Sequence, residues 1–375
     1  MIVGVPKEVK DNEFRVALTP EGTRELTHSG HTVLIEKDAG EGSSLMEDRY
    51  RRAGAEVVGG AKEVWDSADM ILKVKEPIER EYDLLREGQI LFTYLHLAAS
   101  KQLTELLAER KVAAVAYETV QLPDGRLPLL APMSEIAGRM APHVGARLLE
   151  KEHGGRGVLM GGVSGVRPAK VLVLGAGMAG SNAAWIAAGM EAEVVVLDKS
   201  LDKLRFIDQI HKGRIMTLMS DQLTLEQRVR ESDVLIGTVL VPGAKAPKLV
   251  SREMVASMRP GSVVIDISID QGGCIETSRM TTHSDPTYVE EGVVHYCVGN
   301  MPGAVPNTST YALTNVTLPY ASAMADKGLE DAMRDDPALA NGLNAYSGAV
   351  TNKAVAEAHG LDWTSVSSAI PGAET

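Results

Sequence analysis

Cysteine is scarce in this sequence, and long hydrophobic runs are missing. The 375 residues include two cysteines, Cys274 and Cys297, too few for a disulfide framework in a chain of this length. Two buried thiols in a reducing compartment, or one disulfide between them, are the arrangements that this count allows. No stretch of about 18 uninterrupted apolar residues occurs, so no membrane-spanning helix is expected. Residues 1–8 lack the basic and apolar segments of a secretory signal, which predicts a cytoplasmic protein without a membrane partner.

Basic residues are also in deficit. Lys and Arg number 38 against 50 Asp and Glu, a formal net charge of −12. This balance argues against a nucleic-acid partner, because binding to phosphates needs a basic surface. The negative net charge does not exclude a small anionic substrate, because the attraction of one buried arginine outweighs the repulsion of a distant negative surface. The length exceeds what one hydrophobic core usually supports, so two domains are expected.

Short apolar runs alternate with helix-like stretches along most of the chain, a pattern typical of a parallel sheet covered by helices. The predicted strands are 33–35, 70–74, 90–95 and 112–117 in the first third, then 171–174, 193–197, 215–219, 234–236, 263–267 and 293–298. The predicted helices are 21–28, 102–111, 179–188, 201–210, 223–231, 252–258, 309–325 and 352–359. Thr19 followed by Pro20 is a start signal for the first of these helices.

This alternation predicts an α/β fold with two Rossmann-like domains, each a mostly parallel sheet flanked by helices. The loop 122–128 is rich in turn-forming residues and marks a boundary. We therefore expect a substrate domain over residues 1–130 and a nucleotide-binding domain over residues 131–305. Residues 306–375 read as a helical tail that returns to the first domain and makes that domain discontinuous.

A glycine-rich turn joins a predicted strand to a predicted helix in the second domain. Gly175, Gly177 and Gly180 have the G-x-G-x-x-G spacing directly after the apolar run 170–174. The first glycine permits a tight turn, the second lets backbone approach a pyrophosphate, and the third lets helix and strand pack closely. The start of the helix offers unpaired N–H groups to the phosphates.

Asp198 ends the next predicted strand, where a carboxylate can accept hydrogen bonds from both ribose hydroxyls of a dinucleotide. The glycine spacing alone also occurs in ordinary turns, and this acidic residue makes the combination specific. Asp198 would repel a 2′-phosphate, so NAD is the predicted cofactor rather than NADP. Lys199 and Lys203 lie close enough in sequence to soften that preference.

Three ionisable residues follow predicted strands, at the edge where open α/β sheets bind ligands. They are Lys75, His96 and Asp270. Each alone has a structural explanation: a solvated lysine, a hydrogen-bonded histidine or a turn-forming aspartate. Arg15 is comparable, since arginine is common on surfaces, yet its planar guanidinium suits bidentate binding of a carboxylate. The shared position of Lys75, His96 and Asp270 at strand ends favours a catalytic role for them.

Several further blocks of residues occur in a fixed order. They are 4–8, 15–20, 73–77, 94–98, 132–138, the Gly175 turn, 266–273 and 298–303. In these blocks the chain resembles the alanine dehydrogenase family, which also includes the soluble nucleotide-binding subunit of membrane transhydrogenases. The resemblance covers nearly the whole length and implies NAD-dependent oxidative deamination of L-alanine to pyruvate and ammonium. It also implies the family's usual homo-hexamer.

The resemblance implies roles for individual residues. Arg15 would bind the substrate carboxylate and Lys75 the carbonyl oxygen of pyruvate. His96 would be the acid/base, and Asp270 a second catalytic group. Besides the three glycines, the residues implied to bind NAD are Ser134, Met178, Ala179, Asp198, Lys203, Ser220, Val239, Leu240, Ile267, Ser268, Ile269, Asp270, Arg279, Val298, Gly299, Asn300 and Met301.

The chain departs from the family pattern at two places. Ser164 stands where many relatives have proline, and residues 322–327 offer one carboxylate where some relatives bind magnesium, so no metal is predicted. Other functions stay open at this stage. One is a transhydrogenase module with a membrane partner, which the presence of His96 disfavours; another is a non-catalytic NAD sensor. The same chemistry on glycine or glyoxylate is also open.

Overall fold

A computed structural model describes residues 1–239 and 246–375 of the chain. These residues form two compact units, Met1–Met133 with Val305–Thr375, and Ser134–Ala304. Within the described residues no helix is both long enough and apolar enough to cross a membrane. The predicted NAD-site residue Leu240 lies outside them.

The strands and helices alternate as the sequence predicts. The strands are β1 Ile2–Val5, β2 Thr32–Glu36, β3 Glu56–Val58, β4 Met70–Leu72, β5 Ile90–Thr93, β6 Ala113–Ala116, β7 Lys170–Leu174, β8 Glu193–Asp198, β9 Ile215–Met219, β10 Val234–Gly237, β11 Val263–Asp266, β12 Thr287–Glu290, β13 Val293–Tyr296, β14 Leu343–Tyr346 and β15 Ala349–Val350. The helices are α1 Pro20–His28, α2 Glu47–Arg52, α3 Ala61–Ser67, α4 Lys101–Glu109, α5 Ala131–Leu148, α6 Met178–Gly189, α7 Leu201–His211, α8 Gln222–Glu231, α9 Arg252–Ala256, α10 Pro306–Lys327, α11 Leu329–Asp335, α12 Pro337–Asn341, α13 Lys353–His359 and α14 Val366–Ala369.

The sheet of the first unit has the strand order β15-β14-β6-β5-β4-β1-β2-β3. Its strands β1 to β6 pair in parallel, so the carboxyl ends of β4, β5 and β6 are neighbours at one edge. The C-terminal tail returns to this unit, as predicted, and adds β14 antiparallel to β6 and β15 antiparallel to β14. The tail is otherwise helical, as predicted; these two strands were not predicted, because Asn344 interrupts the apolar residues of β14 and β15 has two residues.

The first helix illustrates how local sequence sets an element. The Thr19 hydroxyl accepts a hydrogen bond from the Gly22 N–H at 3.2 Å, and Pro20 occupies the first helical position. Leu26 is fully buried on its inner face. Burying one such side chain stabilises the fold by roughly 1.5–3 kcal/mol. The predicted start signal is confirmed.

The sheet of the second unit has the order β12-β13-β11-β10-β7-β8-β9 and is parallel except for β12. The alanines of α6, including Ala183, Ala184 and Ala187, are fully buried in one cluster with Val171 and Val173 of β7. Small side chains let this helix lie close to the sheet, which brings its first turn to the end of β7. The predicted class of two mostly parallel sheets flanked by helices is confirmed.

Candidate active site

The glycine-rich turn follows β7 and begins α6 in the second unit. Gly175 has a φ of +100°, which favours glycine. A Cβ on Gly180 would lie 1.8 Å from the Gly175 carbonyl oxygen, so helix and turn touch there. A Cβ on Gly177 would have no described atom within 4 Å. The fold itself therefore requires glycine at 175 and 180, whereas the open space beside Gly177 is a cradle that a pyrophosphate fits.

Asp198 lies at the end of β8, beside this turn. Its Oδ2 accepts a hydrogen bond from the Ala176 N–H at 2.6 Å, and its Oδ1 accepts one from the Ser200 N–H at 2.7 Å. The Ser220 N–H donates to the Asp198 carbonyl oxygen at 3.0 Å. These bonds hold the carboxylate against the turn, in the position that suits the ribose hydroxyls of a dinucleotide.

The other residues predicted to bind NAD fall mostly at the ends of neighbouring strands. Val239 follows β10, and residues 267–270 follow β11. Residues 298–301 follow β13, which pairs with β11. Met178 and Ala179 begin α6. Ser134 lies on α5, the exposed Lys203 lies on α7, and the Arg279 guanidinium lies 3.8 Å above the Tyr288 ring.

Asp270 lies on the 3-10 turn Ile267–Gln271 and is exposed. The neighbouring Asp266 is buried and holds this turn: its carboxylate accepts hydrogen bonds from the N–H groups of Ser268, Cys274 and Ile275 at 2.9–3.2 Å. Burial raises the pKa of Asp266 above its ordinary value, against the effect of these hydrogen bonds. Asp266 is thus a structural anchor for Asp270.

Arg15 is buried in the first unit and paired with Glu13. Its Nε and Nη2 donate to the two Glu13 carboxylate oxygens, at 2.6 and 2.5 Å, and its Nη1 lies 3.0 Å from the Met133 sulfur. Burial favours the neutral Glu13, but the Arg15 charge outweighs it and lowers the pKa of Glu13 to about 2. The guanidinium therefore has a defined orientation before any ligand binds.

Lys75 lies three residues beyond β4, on a segment held by a buried ion cluster. Lys73 Nζ contacts Glu8 at 3.1 Å and Glu81 at 2.9 Å, and the three side chains are almost fully buried. Glu8 also accepts hydrogen bonds from the N–H groups of Val74 and Lys75, at 2.6 and 3.4 Å. Burial disfavours the charged Lys73, but the two carboxylates outweigh this and raise its pKa.

His96 follows β5 and has a left-handed backbone, with φ of 49°. Its N–H donates to Glu118 at 2.5 Å, and its ring stacks on Tyr94. The Tyr94 hydroxyl donates to the Leu129 carbonyl oxygen at 2.6 Å. Burial raises the pKa of Tyr94 well above its ordinary value, so this phenol stays protonated. His96 therefore lies on a turn that is held on two sides.

Arg15, Lys75 and His96 share one feature that the sequence did not indicate. The main-chain N–H of each donates to a glutamate: Glu13, Glu8 and Glu118 respectively. The sequence did contain an indication of one of these glutamates, Glu8, because its partner Lys73 interrupts the apolar run 70–74. A lysine at a buried strand position needs a carboxylate partner.

The chain departs from the family pattern at residues 322–327 and at Ser164. The one carboxylate of residues 322–327, Asp326, pairs with His31 at 2.7 Å. Among the described residues, the side chains close enough together to share a metal ion are Glu150, Glu152 and His153, on the surface. Ser164 lies in an exposed loop between the bridged residues Val163 and Val166.

These features are those of an oxidoreductase with a nucleotide-binding, Rossmann-like fold. Residues 4–137 match the family described as alanine dehydrogenase/PNT, N-terminal domain, and residues 141–353 match its C-terminal domain. The chain belongs to the alanine dehydrogenase/PNT family.

The chain is similar to named relatives over its whole length. It is 56% identical to an alanine dehydrogenase of Methanococcus maripaludis and 55% identical to one of Staphylococcus haemolyticus, over 99% of this chain and 99–100% of theirs. A solved L-alanine dehydrogenase is 50% identical, with a TM-score of 0.93 over 96% of this chain and 99% of the other. A transhydrogenase structure from Sinorhizobium meliloti is 25% identical, with a TM-score of 0.80 over 94% and 100% of the two chains.

Proposed function

We propose that this protein is an NAD-dependent L-alanine dehydrogenase. The reaction converts L-alanine, NAD and water to pyruvate, ammonium, NADH and one proton. The observation that carries the proposal is the 56% identity, over the full length, to a relative named alanine dehydrogenase. The residues that this reaction needs are present, and each of the three in the first unit is anchored by a carboxylate.

The second unit would bind NAD along the strand ends already described. The turn at Gly177 has room for the pyrophosphate, and Asp198 would bind the adenosine ribose hydroxyls. The preference for NAD over NADP follows from the negative charge of Asp198. When bound, NAD accepts the hydride that leaves Cα of alanine.

The first unit would bind and orient the amino acid. Arg15 binds the carboxylate, which fixes the direction of the Cα–H bond and lowers the barrier by prior orientation. His96 removes a proton from the ammonium group, because only the neutral amine can expel hydride, and an imidazole exchanges protons near neutral pH.

Hydrolysis of the resulting iminium needs one water molecule. Asp270 is proposed to orient this water and to accept its proton as the C–O bond forms. His96 then returns its proton to the carbinolamine nitrogen, and ammonia leaves as the hydroxyl group gives up its proton, which converts the ammonia to ammonium. Lys75 stabilises the charge on the new oxygen during this step, and the proton held by Asp270 is released to solvent. Carbon keeps the oxygen of water as the carbonyl oxygen of pyruvate. We further propose a cytoplasmic homo-hexamer, the state implied by the family resemblance.

The test is NADH formation, followed by its near-ultraviolet absorbance, with alanine, glycine and other small amino acids, and the reverse reaction with their keto acids. Alanine and pyruvate are expected to give the highest kcat/KM, with some activity on glycine and glyoxylate, because a methyl group changes pocket binding by only about 1–3 kcal/mol. The His96→Ala variant is expected to lose most turnover while binding NADH normally. No turnover of alanine by the parent protein would refute the proposed activity, and full turnover in His96→Ala would refute the acid/base role of His96.

A further inference from the structure

Glu118 makes an unusual set of contacts with the turn that carries His96. It lies on the 3-10 turn Tyr117–Thr119 directly after β6, the neighbour of β5. Its Oε1 accepts hydrogen bonds from the N–H groups of His96 at 2.5 Å and Leu95 at 3.2 Å, and its Oε2 accepts from Leu95 at 3.2 Å. The Glu118 side chain is 17% exposed, so water competes weakly for these bonds.

His96 has a backbone conformation that residues other than glycine rarely adopt. Its φ and ψ are 49° and 37°, in the left-handed region. This conformation turns two successive N–H groups, of Leu95 and His96, toward the same carboxylate. An anion that accepts both bonds favours the left-handed turn over an extended continuation of β5.

The imidazole of His96 is positioned by two further contacts. Its Nδ1 lies 4.0 Å from Glu118 Oε1, and its ring is parallel to that of Tyr94, with centroids 5.9 Å apart. Tyr94 is itself anchored through its hydroxyl to the Leu129 carbonyl. The His96 side chain is 42% exposed. Since Nδ1 is the ring nitrogen that pairs with Glu118, we assign proton exchange to Nε2.

We propose that Glu118 is the positioning residue of His96, an inference that rests on the proposed function. It holds the left-handed turn through the backbone, and its negative charge stabilises the imidazolium whenever His96 carries the substrate proton. The proton passes between Nε2 and the substrate nitrogen, while the Nδ1 proton stays directed to the carboxylate.

Two other titratable groups near His96 have contacts that do not involve Glu118. Glu76, beyond β4, interacts electrostatically with His96; burial opposes its ionisation, but Lys10 and Lys75 lower its pKa below the ordinary value. His359 on α13 contacts the Leu97 carbonyl at 2.7 Å through Nε2. A substitution at Glu118 is therefore expected to remove one charge and to leave the contacts of Glu76 with Lys10 and of His359 with Leu97 unchanged.

The experiment compares Glu118→Gln, Glu118→Ala and the control Glu56→Gln. Glutamine keeps one oxygen that accepts from the His96 and Leu95 N–H groups but loses the charge and the second acceptor oxygen, whereas alanine loses all of these. Glu56 is exposed on the edge strand β3, which is separated from β6 by four strands of the sheet. Two measurements are made across pH: kcat/KM for alanine, and the rate at which diethyl pyrocarbonate modifies His96, taken as the difference from the His96→Gln variant. This reagent attacks neutral imidazole.

In Glu118→Gln, both profiles are expected to move to lower pH by about one unit, because an opposite charge near 4 Å is lost. Glu118→Ala is expected to lower kcat more than tenfold, and Glu56→Gln should match the parent. Profiles of Glu118→Gln that overlay those of the parent would overturn the proposal, as would full kcat in Glu118→Ala. The modification profile needs no turnover, so a shift there without alanine oxidation by the parent protein would reject the proposed function and retain the role of Glu118.

Discussion

Glu13 and Arg15 form a side-on ion pair in which both side chains are at most 1% exposed. The pair uses the Nε and Nη2 atoms of the guanidinium and both carboxylate oxygens of Glu13. The two residues are two positions apart in sequence. The Arg15 main-chain N–H also donates to the Glu13 carboxylate, at 3.1 Å, which holds the Glu13 side chain beside the Arg15 backbone. An arginine held in this way loses little conformational entropy when it binds a carboxylate substrate.

Replacing Glu13 by glutamine is expected to remove a pH-dependent part of the stability. The folded pKa of about 2 lies below the ordinary value of 4.5. The pair therefore stabilises the fold above about pH 4.5, and this contribution disappears as the pH falls toward 2. At pH 7 the loss is about 3 kcal/mol.

Urea denaturation from pH 7 to pH 3 measures this loss. The difference between the parent and Glu13→Gln should shrink as the pH falls. The matched control is Glu21→Gln, which removes the surface partner of Arg49 and should cost less than about 1 kcal/mol at every pH. A constant difference across the range would contradict the assigned pKa of Glu13.

Removing the positive charge of the buried cluster should destabilise the first unit strongly. In Lys73→Met the carboxylates of Glu8 and Glu81 remain buried without their cation, at a cost of about 3–5 kcal/mol. Burial already raises the pKa of Glu8, against the Lys73 charge. Without that charge the Glu8 carboxyl is expected to hold its proton more tightly, so the destabilisation should be larger at pH 8 than at pH 5.

The control for this substitution is Lys62→Met on α3. Lys62 pairs with Asp66 one helical turn away, and the lysine side chain is 77% exposed. Its loss should cost no more than about 0.5 kcal/mol. Equal losses in the free energy of unfolding for the two substitutions, measured by urea denaturation, would show that the buried ion cluster stabilises the fold no more than a surface ion pair.

Gly177→Ala should separate folding from cofactor binding. The backbone of Gly177 has a φ of −77°, which any residue adopts, and a Cβ there meets no described atom within 4 Å. The thermal unfolding midpoint should therefore stay unchanged. The added methyl group would occupy space proposed for the pyrophosphate, and NADH affinity should fall by more than about tenfold, or 1.4 kcal/mol. Fluorescence titration with NADH measures the affinity.

Gly189→Ala is the matched control, since Gly189 ends α6 and a Cβ there also meets no described atom within 4 Å. Alanine favours a helix over glycine by up to about 1 kcal/mol, so this variant should be as stable as the parent or more so. Its NADH affinity should be unchanged. Normal NADH binding by Gly177→Ala would place the pyrophosphate elsewhere.

Asp198→Asn is expected to alter the choice between the two dinucleotides. Asparagine keeps an oxygen for one of the two backbone bonds of Asp198, and it loses the other bond and the charge. A charge-assisted hydrogen bond contributes about 1.5–3 kcal/mol, so NADH affinity should fall roughly 10- to 100-fold. NADPH affinity should fall less or rise, because repulsion of the 2′-phosphate is removed. The exposed Asp202→Asn on α7 is the control, and an unchanged NADH to NADPH ratio in Asp198→Asn would argue against this ribose contact.

Local sequence determined much of the architecture. The cap at Thr19, the apolar runs of β5, β8 and β11 and the spacing from Gly175 to Gly180 each depend on residues within one turn or one strand. Hydrogen-bonding geometry and side-chain period act over the same distance, so a pattern of neighbours was enough to predict these elements. The strands β1, β3, β12 and β14 were missed because glycine or polar residues interrupt their apolar runs, and β15 was missed because it has two residues.

Only the tertiary structure decided what holds the candidate catalytic side chains. Glu8 and Lys73 are 65 residues apart, and Glu118 and His96 are 22 apart. Sequence alone could suggest that a buried lysine needs an anion, but not which of many carboxylates supplies it. The pairing depends on which strands become neighbours in the sheet, and strand order is set by the packing of the whole unit rather than by any local run of residues.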